Sequence, residues 1–137
     1  MSYISAFDPS EDKKRNLASK IYDISESVTK FFWDDAPRLG IQQREGQQDM
    51  AFDVLDAIKS GSHVVIEAGV GIGKSFAYLV PILLYNAKTF SPVVIATSTI
   101  ALQEQLLSDV ERLKKWLRIE PDLILAKGKN HIFVSKM

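Results

Sequence analysis

The stretch Ala68-Gly69-Val70-Gly71-Ile72-Gly73-Lys74-Ser75 brings together residue types suited to one task, the cradling of a phosphate chain. Gly69, Gly71 and Gly73 let the backbone take positive φ angles, so that several N–H groups can turn toward one anion. A lysine placed as Lys74 is reaches β- and γ-phosphates, and a serine placed as Ser75 is offers its hydroxyl to a nucleotide-bound Mg²⁺. Lys74 is therefore the candidate catalytic residue, and residues 68–75 are the candidate nucleotide-binding loop. Ala68 stands where the general signature of such loops has its first glycine. A glycine-rich turn carrying a chance Gly-Lys-Ser is the bland alternative, and the flanking elements argue against it.

Those elements are a strand before the loop and a helix after it. His63-Val64-Val65-Ile66-Glu67-Ala68 is a short apolar run rich in β-branched residues, which predicts a buried strand. Phe76-Ala77-Tyr78-Leu79-Val80 opens a helical pattern that runs to about Lys88, with a bend expected at Pro81. A helix beginning at the loop would set its positive end against the phosphates.

The rest of the chain reads in order. Residues 1–9 form a loose leader, and Ser10 is the expected N-cap of a helix with Glu11 and Asp12 in its first turn. Leu17, Ile21, Ile24, Val28 and Phe31 recur at spacings of three and four, a stripe that either packs on the body or binds a partner. Trp33-Asp34-Asp35-Ala36-Pro37 is expected to end that helix. A second helix is predicted over residues 42–59, with Gly61 as its terminator. Pro92–Thr97 reads as a buried strand, residues 100–117 as an amphipathic helix, and Leu123–Ala126 as a third strand. Strands that are solid apolar runs, alternating with helices, imply an α/β fold of the P-loop NTPase (RecA-like) kind. Its parallel sheet would be covered by helices on both faces, and incomplete in this chain.

Composition sets limits. The 137 residues are 46% hydrophobic and 25% charged, enough for one soluble domain or part of one. Seventeen basic residues balance seventeen acidic ones, and zero net charge neither proposes nor excludes nucleic acid. With no cysteine, the chain can build no disulfide, zinc-thiolate or iron–sulfur site by itself. No signal peptide or membrane span is visible, so the cytoplasm is the expected location and no membrane partner is expected. Neither histidine has metal-ligand spacing.

Beyond the loop, the combination of Arg44-Glu45-Gly46-Gln47-Gln48-Asp49-Met50, Glu67-Ala68-Gly69, Gly73-Lys74-Ser75, Ala77-Tyr78-Leu79 and Pro81 resembles the start of a superfamily 2 DNA helicase of the DinG/XPD type. The resemblance covers roughly residues 41–131, and in it an alanine at 68 is the expected residue. It divides the chain into a leader and amphipathic helix at 1–40 and the N-terminal part of motor domain 1 at 41–137. Gln47 matches the glutamine that such helicases place on adenine, with Arg44 as an assistant, and an amide has the donor–acceptor pair that adenine's edge requires. The alternative is that Gln42, Gln43, Gln47 and Gln48 form a solvated helix face.

The block Thr97-Ser98-Thr99-Ile100-Ala101-Leu102-Gln103 is similar to the family's segment on the DNA path, which implies DNA contacts for Thr97, Thr99 and Gln103. Thr99 is equally a helix cap, and the two roles are compatible. Lys127-Gly128-Lys129-Asn130-His131 resembles the family's segment leading to the first cysteine of an iron–sulfur cluster. Here Val134 holds that cysteine's position, so no cluster is expected, while Lys127 and Lys129 remain candidate DNA contacts. Arg112, Lys114, Lys115 and Arg118 nearby could touch the DNA backbone as well, but charge on a helix end is more often plain solvation, and they are left out of the candidate site.

The resemblance implies ATP with Mg²⁺ as cofactors, single-stranded or forked DNA as partner, 5′-to-3′ movement and a role in DNA repair. Oligomeric state is left open. No apolar run here is followed by the Asp-Glu pair that such a motor needs, and no second motor lobe is present. The chain is therefore expected to bind nucleotide weakly at most and not to unwind DNA. A small-molecule kinase would share the loop but not the Gln47 and Thr97–Gln105 blocks. A non-catalytic interaction module would use the stripe on residues 10–32 instead.

Overall fold

A computed structural model describes residues 9–69, 73–126 and 132–136. The elements are α1 (Pro9–Lys30), a π-helical turn (Phe31–Asp35), α2 (Ala36–Arg38), α3 (Gln47–Ser60), α4 (Lys74–Thr89), β1 (Val93–Ala96), α5 (Ile100–Leu117), β2 (Asp122–Ala126) and β3 (Ile132–Lys136).

The α1 stripe is used inside the molecule. Ile21, Ile24 and Val28 are buried, and α1 packs against α4 and α3, whereas Leu17 stays exposed. Helix continues past the expected stop: Phe31–Asp35 widens into a π turn that buries Phe31 and Phe32, and Ala36–Arg38 adds one more turn. Pro37 lies inside this continuous run and leaves it one backbone N–H short just before the helix ends. Ser10 falls within the first turn of a helix that begins at Pro9, not before it.

α3 starts later than its polar pattern suggests. Gly46 has φ +82°, a left-handed conformation that cannot continue a helix, so Gln42, Gln43 and Arg44 lie outside. α4 spans 16 residues with buried Pro81 inside it and stops where Phe90 turns left-handed. The turn that follows is tied by Asn86, fully buried, whose Nδ2 donates to the Ser91 carbonyl at 2.8 Å. The core lies between helices: Ile24, Val28 and Phe31 meet Leu55 of α3, Leu79 and Leu83 of α4, and Val110 and Leu113 of α5.

β1, β2 and α5 fall where the apolar runs place them, but the strands are not buried as expected: Val94, Ile124 and Leu125 are exposed. β3, signalled only by Ile132-Phe133-Val134, lies between β1 and β2 and is antiparallel to both. Ala96 and Ala126 both register against Ile132, so β1 and β2, joined through α5, run the same way.

The run before the glycine loop departs from expectation. Residues 62–69 are in no strand, and Val65 is 98% exposed. A strand is buried by neighbours, and among the described residues none pairs with this segment. Instead an apolar groove separates Val64 from Val93 and Val94 of β1.

Candidate nucleotide-binding site

Gly73 is the hinge between loop and helix. Its φ of +72° reverses the chain into α4, and its carbonyl accepts the first helical hydrogen bond, from Ala77 N–H at 3.2 Å. The same carbonyl accepts a second bond from Gln47 Nε2 at 3.1 Å. A Cβ on residue 73 would collide with that amide nitrogen, so the position needs glycine for conformation and for space. Gln47 is the first residue of α3 and only 3% exposed, so its amide staples the N-termini of α3 and α4 together. Gln42 and Gln43 are exposed but lie before α3, and Gln47 is buried, so the four glutamines do not form one solvated helix face.

Beyond Gly73 the site opens. Lys74 is exposed and Ser75 half-buried at the start of α4, which has no side-chain cap. The N–H groups of that first turn and the positive end of a 16-residue helix are thus available to an anion. Of the remaining loop, Ala68 and Gly69 lie beside Glu45, Asp49 and Asp53. Val70, Gly71 and Ile72 fall outside the described residues.

A cleft of about 600 Å³ runs from Ser75 and Tyr78 of α4, past Ala96, Thr97 and Ser98 at the end of β1, to Gln105 of α5. The Thr97 hydroxyl is buried there without a partner among the described residues. Gln105 Nε2 donates to Asp109 Oδ1 at 3.1 Å. Burial raises the Tyr78 phenol above its ordinary value near 10; the Ser75 hydroxyl draws it down, and the Asp109 charge adds to the rise. Tyr78, Ser98 and Gln105 lie in the blocks that carry the family resemblance, but no site role was expected of them individually; the i, i+4 spacing of Gln105 and Asp109 was a further signal.

Other candidates fall elsewhere. Arg44 lines a shallow cleft with Trp33 and Gln43 and does not share a pocket with the Gln47 amide. Thr99 caps α5, its hydroxyl accepting from Leu102 N–H at 3.1 Å. Gln103 is 3% exposed, with its Nε2 lacking a partner among the described residues. Lys127 and Lys129 lie outside the described residues, and so does the side chain of Val134. No group of three or more His, Cys, Asp or Glu residues that could hold a metal occurs among the described residues. Ser75 fits Mg²⁺ only as one ligand beside those that a triphosphate brings.

A glycine loop feeding a bare helix N-terminus, with a lysine and a serine in its first turn, defines a P-loop nucleotide-binding protein. Residues 46–132 match the DEAD/DEAH box helicase family, and the chain belongs to it. It is 39% identical to the ATP-dependent helicase DinG of Mycobacterium tuberculosis over 120 residues, covering 83% of this chain and 18% of that protein. It is 41% identical to the ATP-dependent DNA helicase YoaA of Escherichia coli over 93 residues, 67% of this chain and 14% of that one. To the 3'-5' exonuclease DinG of Bacillus subtilis it is 36% identical over 93 residues, 67% of this chain and 10% of the relative. The chain thus spans less than a fifth of the length of these curated relatives. No solved structure matches it.

Proposed function

We propose that the chain is the nucleotide-binding portion of the first motor lobe of an ATP-dependent DNA helicase, in which ATP hydrolysis drives unwinding during DNA repair in the cytoplasm. The observation that carries this reading is the junction at Gly73. A buried glutamine upstream of the loop fixes the loop's last residue, and directly after it Lys74 and Ser75 stand at an uncapped helix end.

In that role Lys74 neutralises the terminal phosphates and the N–H groups of the first turn of α4 hold their oxygens. The Ser75 hydroxyl serves Mg²⁺, which when bound supplies charge neutralisation between the β- and γ-phosphates. The remaining face of the Gln47 amide reads adenine, with its nitrogen held by Gly73, and Arg44 assists from the adjoining turn. The orphaned Thr97 hydroxyl at the cleft and the capped N-terminus of α5 at Thr99 meet single-stranded or forked DNA, with Lys127 and Lys129 on the same path. Gln103 supports that edge from within α5. β1, β2 and residues 62–69 belong to a parallel, RecA-like sheet flanked by helices. The chain has no cysteine and contributes no thiolate ligand to an iron–sulfur cluster.

Fluorescent ATP-analogue binding tests the reading. The chain should bind weakly in Mg²⁺, and Lys74→Ala should remove that binding while leaving the circular dichroism spectrum unchanged. Equal binding by the two proteins would defeat the assignment of the loop.

A further inference from the structure

A second cleft, of about 430 Å³, shares no lining residue with the cleft beside Ser75; it lies where the end of α1, the π turn and α2 meet the C-terminal end of α5. Lys30 and Arg38 reach it from one side, Lys115 and Arg118 from the other. Among the described residues these four cations make no ion pair and no side-chain hydrogen bond, and a single carboxylate, Asp35, lines the cleft with them. Helix C-termini favour cations, so each charge taken alone has an ordinary explanation. Their convergence does not: residues some eighty positions apart are brought to one concavity in a chain whose net charge is zero.

The wall between the cations is apolar, with Leu39, Leu84 and Leu117 beside one aromatic residue. Trp116 lines the cleft half-buried, held from behind by Phe31 at 6.4 Å and Phe76 at 6.0 Å between ring centroids. A flat apolar surface ringed by point charges matches a chain in which phosphates alternate with flat bases. A duplex carries its phosphates on the outside of a stiff rod and does not enter such a cleft, whereas a single strand offers both backbone and base faces. α5 has 18 residues, about 27 Å at 1.5 Å per residue, so this cleft and the Thr97–Thr99 edge stand at opposite ends of one helix.

We infer that the Lys30–Arg38–Lys115–Arg118 cleft is a second binding site for single-stranded nucleic acid, separate from the edge beside the nucleotide. The choice of ligand rests on the reading of the chain as part of a DNA motor; the location of the site does not. Contacts are to phosphates and base faces, so binding is independent of sequence and steeply sensitive to salt.

Fluorescence anisotropy of a short labelled oligothymidylate, without nucleotide, tests the site. Four phosphate contacts give a log–log salt slope of about −2.8, roughly a fifty-fold loss of affinity between about 50 and 200 mM salt. The variant K30Q/R38Q/K115Q/R118Q should lose that component, while K13Q, a change of charge outside the cleft, should keep it. These side chains are exposed, and an unchanged dichroism spectrum shows that the variant folds. On the unaltered chain, oligothymidylate should shield Lys30 and Lys115 from acetylation and leave exposed Lys13 reactive. Wild-type affinity and salt slope in the quadruple variant would overturn the proposal, as would shielding by polyglutamate but not by oligothymidylate. With nucleotide absent, either result leaves the Lys74 assignment untouched, and failure of the Lys74 test leaves this site standing.

Discussion

Gln47 and Gly73 form a matched pair. The glutamine amide occupies the space that any Cβ at 73 would take, and the +72° φ at 73 aims the carbonyl at that amide. Gly73→Ala should therefore cost about 1–2 kcal/mol from the left-handed backbone alone, with a further cost from the displaced amide. Gln47→Ala should destabilise alone yet offset part of the Gly73→Ala penalty. A double-mutant cycle in urea checks this, and strict additivity would mean that the two do not interact. Tyr78 gives a prediction on pH. Because burial raises its folded-state value above the ordinary 10, its contribution is fully present below pH 10. It is lost as pH climbs through the raised folded value, since the unfolded chain ionises first. Urea midpoints of the wild type should fall across that alkaline window relative to Tyr78→Phe; parallel curves would contradict it.

At the scale of elements, helix ends do most of the positioning. α3 and α4 both begin at left-handed glycines without a side-chain cap, and both begin at the candidate site. α5 begins at Thr99, whose hydroxyl satisfies one N–H. Thr99→Ala should lower stability by about 1 kcal/mol, read as a shifted urea midpoint. Thr99→Ser should restore most of it, and no shift in the alanine variant would exclude the cap as a stabilising feature. The bare end of α4 has no such dependence on one side chain, which leaves the N–H groups of its first turn open to an anion.

Across the whole molecule, stability resides in the helical layers and the functional surfaces lie on their rims. Phe31 touches Phe32 edge-on at 5.2 Å and backs Trp116, so it joins the π turn, the core and the basic cleft. Phe31→Ala should cost about 3–5 kcal/mol by opening a cavity between the π turn and Trp116 of α5, as measured by thermal or urea unfolding. A cost under about 1 kcal/mol would show that this junction is loose. Residues 62–69 gain no such support: Val64 and Val65 stand exposed although their types suit a buried strand.

α5 and both outer strands were legible from sequence because each depends on local rules, although the same apolar-run rule misplaced a strand over residues 63–68. Glycine spacing, a period near 3.6 and short apolar runs bounded by prolines are properties of neighbours along the chain. The π turn, the burial of Gln47 against Gly73 and the insertion of β3 between β1 and β2 were not legible. Each rests on a partner tens of residues away. The sequence by itself indicated which residues are suited to hold a phosphate and the course of α1, α4 and α5, but not the helical continuation over residues 31–38 or the start of α3 at Gln47. Only the tertiary structure decided which glutamine turns inward and which lysines and arginines share a cleft. Burial and charge convergence are set by residues distant in sequence, and no local pattern encodes them.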